Sequence, residues 1–175
     1  MRRVLYSVAA SLDGYIAGPG GEFDWIPMDP AIDWAAFMGR FDTVLMGRRT
    51  FELTLGEGAP ASQSQMRTYV FSRTLKAENH PNVTIVGDNA ASVVKALRAE
   101  SGKDIWLMGG GVLFRSLLEA DLVDGVEVGI VPILLGKGLP LLPPPARSAA
   151  LRLVQSKTYP SGIMLLTYDV VRDEV

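Results

Sequence analysis

The sequence contains no cysteine and only one histidine, His80. The lack of cysteine excludes disulfide bonds and thiolate metal sites, and a single histidine excludes a multi-histidine metal site. Surplus positive charge is also missing, since 17 Lys and Arg stand against 19 Asp and Glu, a formal net charge of −2. Binding to nucleic-acid phosphates requires such a surplus. We therefore expect no metal ion and no nucleic acid as a ligand.

Long apolar runs are absent as well, although 48% of the residues are hydrophobic. No stretch approaches the roughly 20 apolar residues of a membrane span. The basic start followed by apolar residues 4–10 superficially resembles a signal peptide, but this run is short and gives way at once to residues 11–14 (SLDG). We interpret it as a first core strand, and we expect no membrane contact and a cytoplasmic location.

The length and composition fit one globular domain. A compact domain usually takes about 100 to 200 residues, and this chain has 175, of which 21% are charged. We find no internal repeat and no linker, so residues 1–175 are expected to form a single domain able to bury a core.

Predicted strands and helices alternate along most of the chain. Short, partly β-branched apolar runs predict strands over residues 4–10, 43–46, 68–71, 83–86, 105–108 and 123–131. Helices are predicted between them, over residues 30–38, 48–55, about 90–100 and after residue 111. Asp29 is expected to cap the first of these helices, with Pro30 in its first turn.

The C-terminal part has a different pattern. Residues 135–145 hold four prolines and two glycines, which predicts a loop. Residues 151–157 and 163–171 then predict two antiparallel strands joined by a turn. Alternation followed by a hairpin indicates an α/β fold: a mostly parallel sheet covered by helices on both faces, with antiparallel strands at one edge. Ligands of such sheets bind at the carboxyl ends of the strands.

One of these strand ends carries residue types that bind anions. Gly47, Arg48, Arg49 and Thr50 end a buried strand and begin a helix. Free backbone N–H groups, two guanidinium groups and a hydroxyl would favour an anion there. A helix start with solvated arginines is the alternative, and both interpretations stay open.

Two other strand ends have related features. Ser72 and Arg73 suit a phosphate group, although such a pair is common at strand ends. Gly109, Gly110 and Gly111 form a run of glycines that costs chain entropy, so either a pyrophosphate or tight helix–strand packing requires a bare backbone. A Rossmann fold is not expected, because Phe114 stands where the spaced-glycine motif needs its third glycine.

Five segments together resemble the dihydrofolate reductase superfamily, most closely its bacterial branch related to the reductase domain of riboflavin biosynthesis. They are residues 11–17 (SLDGYIA), 45–52 (LMGRRTFE), 70–73 (VFSR), 107–111 (LMGGG) and 131–138 (VPILLGKG). The likeness runs from about residue 3 to 170. It implies a three-layer, dihydrofolate-reductase-like fold and hydride transfer from NADPH to a small heterocycle, such as a pyrimidine, a pterin or a flavin-like compound.

The resemblance also implies which residues hold NADPH. Arg48 and Ser72 would bind the 2′-phosphate of the adenosine, with Arg73 as a helper. Arg49 and Thr50 would contact the pyrophosphate. Three arginines at two strand ends favour NADPH over NADH, because the extra phosphate needs them.

Further contacts to NADPH follow from the same resemblance. The run Gly109, Gly110, Gly111 and Val112 would let the pyrophosphate approach the second helix start. Ala9 and Ile16 would offer backbone groups to the nicotinamide carboxamide and so fix which face of the ring is presented.

Reduction also needs a proton donor near the substrate. Folate reductases carry an acid on the helix after the first loop, and Asp33 corresponds to it here. The spacing to Phe37 would place both side chains on one helix face, and burial beside an aromatic ring would raise the pKa of Asp33. A solvated helix carboxylate is the alternative. Asp13 is the second candidate, although aspartate before glycine in a tight turn is usually structural.

Other functions stay open from the sequence. The chain could bind a nucleotide without turnover, or reduce a pyrimidine in riboflavin synthesis. The longer loop at residues 18–25 argues against dihydrofolate itself as the substrate. Members of this family often pair through edge strands, so a homodimer is compatible with the resemblance.

Overall fold

A computed structural model describes residues 1–55 and 66–172. In chain order its elements are β1 (Val4–Ser11), β2 (Tyr15–Ala17), α1 (Trp34–Gly39), β3 (Phe41–Gly47), α2 (Arg48–Thr54), β4 (Arg67–Phe71), β5 (Thr84–Val86), α3 (Ala90–Ala99), β6 (Asp104–Gly109), α4 (Gly111–Glu119), β7 (Gly125–Val131), β8 (Leu139–Pro140), β9 (Leu151–Thr158) and β10 (Met164–Val170). A short 3-10 helix, Ala77–Asn79, precedes β5.

Eight strands form the main sheet, in the order β5-β4-β3-β6-β1-β7-β10-β9. The strands from β5 to β7 run parallel, and β10 is antiparallel to both β7 and β9. The predicted parallel sheet with an antiparallel C-terminal hairpin at one edge is therefore confirmed. This topology brings the carboxyl ends of β1, β3, β4 and β6 to the same rim.

Helices cover both faces of the sheet, which gives the three predicted layers. Alternation along β1 sends Val4 and Tyr6 into a cluster with residues of α3 and α4. Leu5 points the other way, into a cluster that includes Phe51 of α2 and has Phe37 of α1 packed against it. Each fully buried apolar side chain of this kind contributes roughly 1.5 to 3 kcal/mol.

The predicted first helix is shorter than expected, and Asp29 does not cap it. The helix begins at Trp34, and Asp33 is its N-cap, whose carboxylate accepts the N–H of Ala36 at 2.8 Å. The Asp29 carboxylate instead accepts the N–H groups of Ala31 at 2.8 Å and Ser161 at 2.9 Å. A side chain that closes a local turn in this way competes with helix formation, so the prediction of a helix from residue 30 is wrong.

The proline-rich segment contains a strand that was not predicted. β8 pairs with β2, and the N–H of Leu141 donates to the carbonyl of Gly14 at 2.9 Å. Gly138 has a φ of +155° and lies against the carbonyl of Ala17, where a side chain would collide with backbone. A two-residue strand has no alternating pattern, so the sequence carries no signal for it.

Candidate active site

A cleft of about 1680 Å³ opens at the carboxyl ends of the parallel strands. We call its two parts the junction half (residues 47–50, 71–73 and 110–113) and the sheet half (Ser7, Phe37, Arg40, Trp106 and Glu127). Pockets for a single small ligand usually measure about 300 to 1,000 Å³, so this cleft has room for two molecules side by side.

Most of the predicted cofactor residues line this cleft. They are Ala9, Ile16, Gly47, Arg48, Arg49, Thr50, Ser72, Arg73, Gly110, Gly111 and Val112. Gly109 is buried at the end of β6, where its φ of +134° requires glycine. Its predicted contact with a pyrophosphate stays a prediction.

The three strand ends singled out in the sequence meet at one rim. Sheet register pairs Gly47 with Phe71, and Met46 with Gly109. A Cβ atom on Gly47 would lie 3.9 Å from the carbonyl oxygen of Gly109. The guanidinium of Arg48 donates to the hydroxyl of Thr74 at 3.2 Å, which joins the first strand end to the β4 loop. The three strand ends thus lie together at the carboxyl rim of the sheet.

Glycine is required for different physical reasons at the positions of the 109–111 run. A Cβ on Gly110 would meet only Thr50 Oγ1 at 3.7 Å and Ile16 Cδ1 at 4.0 Å, so the backbone there faces free space. A Cβ on Gly111 would lie 2.7 Å from the carbonyl oxygen of Pro140 and 2.9 Å from that of Leu141. Tight packing therefore explains Gly111, while the space beside Gly110 leaves room for a ligand at the start of α4.

The cations of the junction half are weakly held. Arg48 is 44% exposed and pairs with the carboxylate of Glu52 at 3.8 Å. Arg73 is 83% exposed and pairs with Asp88 at 3.1 Å. Surface pairs of this kind are worth about 0 to 1 kcal/mol, so both guanidinium groups can exchange their partners for a bound anion at low cost.

Ser72 has a structural contact in addition to its place in the cleft. Its hydroxyl oxygen accepts the N–H groups of Thr74 at 3.2 Å and Leu75 at 3.0 Å, which shapes the loop after β4. The hydroxyl proton can still be donated. Ser72 can thus hold the loop and contact an anion at once.

Asp13 anchors a loop. Its carboxylate accepts the hydroxyl of Ser11 at 2.6 Å and the N–H groups of Leu135 at 3.1 Å and Gly136 at 2.7 Å. The bond from Ser11 and these backbone bonds hold the pKa of Asp13 below its ordinary value. This arrangement matches the structural interpretation of Asp13, because a carboxyl with a lowered pKa is a poor proton donor.

Asp33 lines the cleft but differs from its prediction. It is exposed, and it precedes α1 as the N-cap instead of standing on the helix beside Phe37. Phe37 packs edge-on against Trp106 at a centroid distance of 5.1 Å. The expected burial of Asp33 against this ring is wrong, because the carboxylate turns back to cap the helix. Its role as the acid stays a prediction.

The sheet half contains an ion pair that sequence reasoning missed. Glu127 in β7 is 5% exposed, and its two carboxylate oxygens accept Arg40 Nη1 at 3.1 Å and Nη2 at 3.0 Å. Register places Glu127 beside Ser7 of β1. A glutamate within the apolar run 126–131 was the available signal, because charged residues are rarely buried without a partner.

Metal sites and membrane spans are both absent from residues 1–55 and 66–172. These residues contain no group of three or more His, Asp or Glu side chains that could hold a metal ion. No helix in the same ranges combines the length and the apolar character needed to cross a membrane.

Fold and site together define a three-layer α/β domain of the dihydrofolate-reductase-like type, with its cleft at the carboxyl rim of the sheet. The sequence profile of the RibD C-terminal domain matches residues 2–165. The chain belongs to this family.

Known proteins of similar sequence or structure agree with this membership. The chain is 34% identical to the uncharacterized protein YyaP of Bacillus subtilis, over 95% of this chain and 94% of that one. A crystal structure from Shewanella sp. PV-4, provisionally assigned to riboflavin biosynthesis, superposes with a TM-score of 0.82 at 28% identity, covering 98% of this chain and 100% of the other.

A more distant structure shares the fold. It is the diaminohydroxyphosphoribosylaminopyrimidine deaminase/5-amino-6-(5-phosphoribosylamino)uracil reductase of Thermotoga maritima, with a TM-score of 0.70 and 19% identity. The match covers 97% of this chain but 57% of that protein.

Proposed function

We propose that this protein is an NADPH-dependent reductase that transfers a hydride to a small nitrogen heterocycle. The observation that carries the proposal is the convergence of three strand ends, with loosely paired arginines and bare backbone, beside an aromatic second half of the same cleft. Membership of the RibD C-terminal domain family and the fold shared with a uracil reductase support it.

The junction half fits a phosphorylated dinucleotide. Arg48 and Ser72 would hold the 2′-phosphate, with Arg73 as a helper at the exposed edge. Arg49 and Thr50 would contact the pyrophosphate. When bound, NADPH supplies the hydride, and the residues of the chain orient it and exclude water.

Contacts at the start of α4 would extend this cofactor site. The pyrophosphate would lie against Gly110 and Val112, because the free space beside Gly110 admits a close approach of the backbone. Ala9 and Ile16 would meet the nicotinamide carboxamide where β1 and β2 border both halves of the cleft. Asp33 would deliver the proton from the rim of the sheet half.

Reduction of a pyrimidine in riboflavin synthesis is the second candidate, supported by the fold shared with the Thermotoga maritima enzyme. Binding of NADPH without turnover is the third. The homodimer also stays a prediction. Its candidate surface is β9, an edge strand on which Leu151, Leu153 and Val154 are exposed.

One variant tests both cofactor use and proton delivery. Asp33→Asn removes the acid, and asparagine is an equally good N-cap, so α1 is kept. We expect NADPH oxidation, followed by absorbance with a panel of pyrimidines, pterins and flavins, to fall roughly 100-fold or more with the accepted substrate, while NADPH affinity is unchanged.

Each other outcome has a distinct meaning. Turnover that is unaffected by Asp33→Asn would remove Asp33 from the mechanism. A ribosylated aminopyrimidine as the accepted substrate would favour the second candidate. Tight NADPH binding with no turnover across the panel would favour the third, and failure to bind NADPH would refute the proposal itself.

A further inference from the structure

The ion pair of Glu127 with Arg40 in the sheet half is not explained by NADPH binding or by proton delivery; the glutamate is 5% exposed, while the Arg40 side chain is 40% exposed. Glu127 extends from the middle of β7 to the floor of the cleft, and Arg40 follows α1. The guanidinium also lies over the rings of Phe37 at 5.7 Å and Phe41 at 5.1 Å. The rings of Phe37 and Phe41 thus help to orient the guanidinium that holds Glu127.

Stability alone is a weak reason to place an ion pair there. Burial of the Glu127 carboxylate costs free energy that its attraction to the partly exposed Arg40 guanidinium at best offsets, and a well-packed apolar side chain at such a position is often equally stable or more stable. A carboxylate on this floor is therefore better explained by something that it contacts.

The carboxylate of Glu127 still has hydrogen-bonding capacity. A carboxylate offers about four acceptor positions, and Arg40 occupies one on each oxygen. Because the guanidinium already balances its charge, the group is suited to a neutral N–H donor more than to a second cation. The Glu127 carboxylate therefore presents an oriented hydrogen-bond acceptor to the cleft.

A second polar group lies directly beside it. Ser7 is in register with Glu127 on the adjacent strand, and its backbone carbonyl accepts the indole N–H of Trp106 at 2.9 Å. Among the residues that the structure describes, the Ser7 hydroxyl is the buried side-chain polar atom that has no hydrogen-bond partner. An unpaired buried hydroxyl costs about 1 to 3 kcal/mol, so a ligand that supplies a partner recovers free energy.

We propose that Glu127, held by Arg40, is a specificity-determining residue that accepts a hydrogen bond from a ring N–H of the heterocyclic substrate. Ser7 pairs with the adjacent ring carbonyl, so the preferred substrate presents a neutral lactam edge, an N–H next to a C=O. The edge-on rings of Phe37 and Trp106 border the same space. This inference rests on the proposed reductase function and assigns the recognition of its substrate.

Lumazine is a suitable probe, because its pyrimidine ring carries such lactam edges. Its dimethylated analogue, in which both pyrimidine N–H groups carry methyl groups, keeps the ring and the carbonyls but lacks the donors. Binding of both compounds is measured by calorimetry in mildly acidic buffer, with and without NADP⁺. NADPH binding is titrated separately, so that failure of the cofactor assignment is distinguished from failure of this one.

We expect the unmodified protein to bind lumazine about tenfold to hundredfold more tightly than the dimethylated analogue, the range for a hydrogen bond to a charged group. Glu127→Gln should weaken the binding of lumazine by a similar factor and change the affinity for the analogue little. The discrimination between the two compounds is then lost. Glu119→Gln is the matched control, because Glu119 in α4 forms an i,i+4 pair with Arg115 outside the cleft. This variant should keep the discrimination between lumazine and its analogue.

Ser7→Ala provides a second variant that removes no charge. It should weaken lumazine by a smaller factor without loss of thermal stability, since it deletes an unpaired hydroxyl. Equal affinity for lumazine and its analogue, no binding of lumazine, or full discrimination in both Glu127→Gln and Ser7→Ala would overturn the proposal. NADPH binding that persists in that case would leave the reductase assignment standing.

Discussion

The two halves of the cleft are built in opposite ways. The junction half consists of short contiguous segments at strand ends, with exposed arginines in weak pairs and backbone that faces free space. The sheet half consists of single residues contributed by different elements, with a fully formed ion pair whose carboxylate is buried. One half keeps its charges available to exchange partners, while the other has them fixed in place before a ligand arrives.

This difference matches two tasks of a reductase. A phosphorylated cofactor needs positive charge and a close approach to the backbone. Free backbone N–H groups and exposed, weakly paired arginines provide both. A substrate needs discrimination, which depends on fixed hydrogen-bonding groups that remain unpaired with the wrong molecule. Variants in each half should therefore fail in different measurements.

The largest expected effect on stability distinguishes Gly111 from Gly110. Gly111→Ala should lower the free energy of unfolding by about 1 to 3 kcal/mol, because its Cβ would press on the backbone carbonyls of Pro140 and Leu141. Gly110→Ala should keep its stability, since its Cβ meets nothing closer than 3.7 Å, and should weaken NADPH binding instead. Urea unfolding and a cofactor titration on both variants measure this, and loss of stability in Gly110→Ala would contradict it.

A smaller effect is expected at Asp13, which anchors the loop at residues 135–136. The pKa of Asp13 is lowered in the folded protein, so its bonds stabilise the fold above the ordinary pKa of aspartate and are lost as pH falls through the lower folded value. Asp13→Asn should therefore melt below the unmodified protein at neutral pH, and the two melting temperatures should converge in acid. A gap that persists or widens in acid would exclude this account.

The residues of the junction half could be predicted from the sequence because they are contiguous in the chain. Each of its motifs is a strand end followed by a turn or helix start, and the side chains involved are neighbours in the chain. Parallel topology then brings those ends to one rim, as Gly47 and Gly109 show.

The sheet half could not be predicted in this way. Glu127 meets Ser7 through strand register and Arg40 through the packing of α1 on the sheet, and neither relation is visible in local periodicity. The start of α1 was misplaced because two aspartates, Asp29 and Asp33, compete as caps and only tertiary contacts decide between them. Asp29 is drawn to Ser161, which lies 132 residues further along the chain.

Our proposal that the junction half binds a 2′-phosphorylated dinucleotide is tested by the dissociation constants of NADPH and NADH, measured with the unmodified protein and with Arg48→Ala. We predict tighter binding of NADPH by the unmodified protein. Arg48→Ala should cost NADPH about 1.5 to 3 kcal/mol and NADH almost nothing, because only NADPH carries the phosphate that Arg48 would hold. An equal loss for both cofactors would contradict the account.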